Sequence, residues 1–68
     1  MESKLVMGYV LYVGEKPAAV GKSLDETKRL AEQYIPNMRP LKIESAVAPA
    51  PSQTWNYDYG IRMWVERK

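Results

Sequence analysis

Residues able to recognise another molecule gather toward the end of the chain. Trp55, Tyr57 and Tyr59 share one parity, and Arg62 and Trp64 follow on a returning segment. Tryptophan and tyrosine offer large contact area at low entropic cost with a polar tip, which makes them interface anchors. On a sheet the same rings can stack bases while arginine and lysine take phosphate. With no phenylalanine in the chain, these rings are also natural core residues. Stacking has Trp55, Tyr57, Arg62 and Trp64 as its candidates, but no ribonucleoprotein-type consensus accompanies them. Contact with protein is therefore the first expectation, and binding of nucleic acid or a nucleotide the alternative.

Residues for bond-making chemistry are scarcer. The chain contains no histidine and no cysteine. Those side chains supply the usual zinc ligands, nucleophile–base pairs and neutral-pH titration, and cysteine supplies the disulfides of small secreted domains. Gly21-Lys22-Ser23 has the ending of a phosphate-binding loop, but Lys16 stands where that pattern requires its first glycine. A strand-to-helix turn with a serine cap is the better reading. Asp25 and Glu26 fit a helix cap, Glu32 a helix pair, and Glu44 and Asp58 solvent-facing positions, so no acid and base converge. The expectation is a non-enzymatic protein, with no catalytic residue, cofactor or metal.

Several elements must position these residues. Leu5–Val13 reads as a strand from its β-branched and aromatic content. A turn at Gly14-Glu15-Lys16 returns the chain along Pro17–Gly21, with Pro17 confined to an edge or a first position. Ser23-Leu24-Asp25-Glu26 is a capping box, and Leu24, Thr27, Leu30, Ala31 and Tyr34 recur at helical spacing. Asp25/Arg29 and Lys28/Glu32 are spaced for ion pairs on the outer side. Pro36 is expected to end this helix, which spans about 24–35.

Past a loop at Pro36–Pro40, Leu41–Val47 alternates as a half-buried strand with Leu41, Ile43 and Val47 inward. Ala48–Ser52 reads as a stiff extended connector. Thr54–Asp58 and Arg62–Glu66 then form a terminal hairpin about Tyr59-Gly60-Ile61, or one long strand with a bulge at Gly60. Arg67-Lys68 is expected to fray. The fold class is α+β: a small antiparallel sheet in β-β-α-β-β or β-β-α-β-β-β order, with one helix on one face.

Size and charge bound the rest. The chain has 68 residues, 46% of them hydrophobic, with ten basic against eight acidic side chains for a net charge of +2. That length allows one domain, residues 1–68, which buries only about 60% of its unfolded surface. The charge excess is too small to argue for nucleic acid. The apolar run Leu5–Val13 is nine residues long, against the ~20 that cross a bilayer. No signal peptide or membrane association is expected, and the cytoplasm is the expected location.

Both faces of the first strand are apolar: Leu5, Met7, Tyr9, Leu11 and Val13 on one, Val6, Val10 and Tyr12 on the other. That is the pattern of a strand covered on both sides, yet one helix covers only one. The second face is expected to meet the terminal hairpin, a second copy or a partner. The interface candidates are therefore Val6, Val10, Tyr12, Trp55, Tyr57 and Trp64, and a homodimer or a protein partner is expected.

The run Ser23-Leu24-Asp25-Glu26-Thr27-Lys28-Arg29-Leu30-Ala31, followed by a strand and the Trp55-x-Tyr57-Asp58 … Trp64-Val65 hairpin, resembles the layout of short uncharacterised bacterial and phage proteins. Some phage-encoded anti-CRISPR inhibitors are similar in layout and size. The resemblance implies an inhibitor or regulator that works by occupying a partner's surface, and it assigns a role to no particular residue.

Overall fold

The computed structural model describes residues 5–48 and 53–67. Of the connector expected over Ala48–Ser52, Ala48 instead ends β3, while residues 49–52 and Lys68 lie outside the described residues, as do the side chains of Leu5, Val6, Met7, Ala46, Val47 and Ala48. The chain runs β1 (Leu5–Val13), β2 (Lys16–Gly21), α1 (Leu24–Ala31), a 3-10 segment (Glu32–Asn37), β3 (Leu41–Ala48), β4 (Thr54–Asp58) and β5 (Met63–Arg67). The strands form one five-stranded antiparallel sheet in the order β2-β1-β3-β4-β5. The α+β class and the β-β-α-β-β-β order expected of the sequence are those observed.

Local chemistry explains each turning point. Gly14 takes φ 68 between β1 and β2, a turn conformation that glycine adopts without steric cost. Pro17 sits in β2, at the sheet's edge, next to a register shift between Leu11 and Tyr12. An edge position and a bulge are the two places where a missing N–H is tolerated. The later hairpin is a true hairpin, not one bulged strand, and Arg67 ends β5 as a paired residue opposite Thr54.

The capping box forms with a shifted partner. Ser23 Oγ accepts the Glu26 N–H at 3.1 Å, and the Glu26 carboxylate accepts the Lys22 N–H at 2.9 Å. Pro36 does not end the helical course where the sequence predicts. The α-helix stops at Ala31, and 3-10 turns carry the chain past the proline to Asn37. An α-helix through Pro36 would lose a hydrogen bond and press the ring on the preceding turn, which i→i+3 bonding relieves. Met38, at φ 59, terminates the segment with its N–H donating to the Ile35 carbonyl at 3.0 Å. The pairs Asp25/Arg29 and Lys28/Glu32 do not close; among the described residues the ion pair is Lys42–Glu44, at 3.4 Å.

The core lies between α1 and the centre of the sheet. Leu11, Ile43 and Ala31 are fully buried and Leu41 nearly so, with Tyr9, Val13, Ala19, Leu24, Tyr34 and Ile35 packed around them. Two buried hydroxyls are satisfied within it. Thr27 Oγ1 donates to the Ser23 carbonyl at 2.7 Å, and Ser45 Oγ accepts the Gln53 N–H at 2.8 Å. Gly21 lets the first turn of α1 settle on β2: a β-carbon there would lie 2.2 Å from Thr27 Oγ1.

Candidate interaction surfaces

The register sorts the sequence's candidate residues onto different faces. Leu11, Ile43 and Trp55 lie in one row facing α1, and Tyr57 pairs with Trp64 on the same face. Val10 and Tyr12 point the other way. The expected interface set thus divides in two, with Trp55, Tyr57 and Trp64 on the helix side and Val10 and Tyr12 on the open side. Val6 has no described side chain.

The open side is less apolar than β1 alone indicates. Across the strands one row reads Val20, Val10, Glu44, Thr54 and Arg67, and the next reads Pro17, Tyr12, Lys42, Asn56 and Val65. A polar band therefore runs down the middle. Lys42 Nζ stands 4.8 Å from the centre of the Tyr12 ring and reaches Glu44, so long side chains partly roof Val10 and Tyr12. The terminal hairpin does not fold over this face; it widens the sheet beyond β3.

On the helix side, α1 packs chiefly on β2, β1 and β3, and the rings of β4, β5 and the turn between them extend the core beyond it. These rings interlock. Tyr9 meets Trp55 at 6.0 Å between centroids, Tyr57 meets Trp64 at 5.3 Å, and Tyr57 meets Tyr59 at 4.9 Å, the last two edge to face. Such pairs contribute about 0.5–1.5 kcal/mol each beyond their burial. In the two edge-to-face pairs the edge of one ring packs on the face of the other, which leaves less ring face available for stacking.

Arg62, expected within the last strand, instead occupies the turn at φ 58. Its N–H donates to the Asp58 carbonyl at 2.7 Å, and Asp58 Oδ1 accepts the Gly60 N–H at 2.8 Å. With Ile35, Pro36, Met38, Tyr57 and Tyr59 it lines an open groove of ≈ 450 Å³. Tyr59 OH donates to the Arg39 carbonyl at 2.6 Å and ties the turn to the end of the 3-10 segment. Partial burial, assisted by nearby Tyr57, raises the Tyr59 phenol above its ordinary pKa. Sequence reading missed this groove. It depends on left-handed backbone at Met38 and Arg62, residue types that carry no signal for that conformation.

The carboxylates are largely engaged in structure. Glu26 holds the Lys22 N–H, Asp58 the turn, Glu44 pairs with Lys42, and Glu66 Oε2 accepts from Gln53 Nε2 at 3.0 Å. The Lys22–Ser23 corner accordingly presents an occupied helix N-terminus. Among the described residues there is no group of three potential metal-ligating side chains. No helix among them is long and apolar enough to cross a membrane.

One feature of the surface is asymmetric. β2 and β5 are the two edges of the sheet. Pro17 and the neighbouring bulge blunt β2, whereas β5 has neither. Met63 is 59% exposed and Val65 44% exposed, both on β5, and Ile61 in the adjoining turn is 58% exposed. Compared with known protein families, curated proteins and solved structures, the chain matches none of them.

Proposed function

We propose that this chain is a small non-enzymatic binding protein that acts through protein–protein contact, with the C-terminal hairpin as its contact element. The observation that carries this reading is the β5 edge: without proline or bulge, unpaired on its outer side among the described residues, and flanked by the exposed apolar side chains of Ile61, Met63 and Val65. Unpaired strand edges with apolar neighbours are templates for added strands, and β-addition is a common mode of recognition. The engaged carboxylates and the lack of histidine and cysteine support a role without catalysis. In this reading the protein is an inhibitor or regulator in a bacterial cytoplasm, the role that its layout resemblance implies.

The test compares variants that keep the fold. Tagged protein is expressed in its source cell as wild type, as Arg29→Glu on the outer side of α1, and as Met63→Lys with Val65→Lys. All three should unfold at similar urea concentrations. The doubly substituted β5 variant should lose the specific partner, another protein or an untagged copy, that the first two retain. Equal recovery by all three overturns the reading.

A further inference from the structure

We infer that a second copy of this chain docks on β5, pairing antiparallel with its own β5 about a two-fold axis at Trp64; this rests on the hairpin being the contact element. The argument is one of register. Directly opposed residues in an antiparallel pair share a face, so the two copies can align only with one β5 residue on the axis.

Each candidate alignment gives a different set of neighbours. With Val65 on the axis, Met63 opposes Arg67 and Trp64 opposes Glu66, setting apolar groups against charges. With Glu66 on the axis, two carboxylates oppose one another, which is unfavourable. With Trp64 on the axis, the opposed pairs within β5 are apolar on both faces. Trp64 meets Trp64 on the helix side. On the open side Met63 meets Val65 twice, joining four apolar side chains that are exposed in the single chain.

The result is a continuous ten-stranded sheet with the two β2 strands outermost. Pairing satisfies the outward N–H and C=O groups of β5 in both copies and closes an edge strand that carries neither proline nor bulge. A five-residue strand pair buries less than the ~1,600 Å² of a standard interface. The dimer is therefore weak and concentration-dependent.

Two measurements on the purified protein test this. Sedimentation equilibrium from micromolar to millimolar concentration should show the mass rising from 7.8 kDa toward twice that value. Met63→Cys and Val65→Cys, introduced singly into a chain with no native cysteine, are then mixed in a glutathione redox buffer. Directly opposed residues lie near disulfide reach, and residues displaced by two positions do not. The Met63→Cys/Val65→Cys heterodisulfide should dominate.

A mass of 7.8 kDa at every concentration overturns the self-pairing. It leaves the hairpin as a contact for another protein, which the doubly lysine-substituted variant reads separately. A predominance of the Val65→Cys homodisulfide, or a statistical mixture, overturns the Trp64 register.

Discussion

Substituting Gly21 by alanine tests how closely α1 rests on the sheet. The new β-carbon would lie 2.2 Å from Thr27 Oγ1, 3.1 Å from the Thr27 nitrogen and 3.2 Å from its α-carbon. Thr27 is fully buried, and its hydroxyl is held by the Ser23 carbonyl at 2.7 Å. The side chain can turn aside only by breaking that bond, or the helix N-terminus must lift from β2 and loosen the contact of Ala31 with the core. Overpacking of this kind costs ~1–3 kcal/mol, against which the stiffer unfolded chain returns ~0.4–1.

The net expectation is a loss of about 1–2 kcal/mol, or ~4–16 °C in melting temperature for a domain of this size. Urea unfolding followed by tryptophan fluorescence measures it, with an unchanged slope as the check that only stability has moved. Thr27→Ala removes the closest of the three contacts. Gly21→Ala should therefore cost less in the Thr27→Ala background than in wild type. A neutral or stabilising Gly21→Ala, or strict additivity of the two changes, would refute the close approach of helix and strand.

Other expectations follow from the same contacts. Ser23→Ala removes the cap on the Glu26 N–H and should cost about 1 kcal/mol by urea unfolding. Tyr59→Phe removes the donor to the Arg39 carbonyl and should cost ~0.5–1.5 kcal/mol at neutral pH. Because the folded phenol holds its proton more tightly than the unfolded one, its contribution is present in full below pH ~10 and declines as pH rises through the folded value. Wild type should thus lose stability more steeply than Tyr59→Phe in that range; parallel curves would contradict it. Single-stranded oligonucleotides at low salt should leave tryptophan fluorescence unchanged, since the rings engage one another. Saturable quenching that weakens with salt would restore the stacking alternative.

What the sequence disclosed and what it hid divide along the range of the interactions. The capping box at Ser23 and the helical stripe from Leu24 to Tyr34 are local chemistry, and they place α1. The β-branched run of Leu5–Val13 likewise needs no partner to be read. The helical course is legible to within two residues, but its change to 3-10 turns at Glu32 is not, since Pro36 forbids continued α-helix and not those turns. The open face is legible only in part, for a different reason. β1 alone shows Val10 and Tyr12 as bare apolar residues, and only the pairing with β3 reveals Glu44 and Lys42 beside them. The groove at Tyr59 was illegible because it joins the 3-10 segment to a turn formed some twenty residues later.

The sheet's unequal edges give the contact element its position. Pro17 restricts its strand to an edge or itself to a first position, whereas β5 becomes the opposite edge only once the strand order is known. The aromatic residues correspondingly change role. Trp55 packs on Tyr9 of β1, Tyr57 on Trp64, and all three lie against the core, so in the proposed reading the contact passes to their exposed neighbours Met63 and Val65. A rigid strand with an open edge loses little entropy when another strand is added to it.

Photo-crosslinking from position 65 tests that role most directly. A benzophenone amino acid replaces Val65 in one variant and Arg29, exposed on α1, in another, and both are irradiated in the source cell. The account predicts a discrete adduct from position 65, of dimer mass or of one defined partner, and none from position 29. Adducts from position 29 alone, or from neither position at full expression, would contradict it.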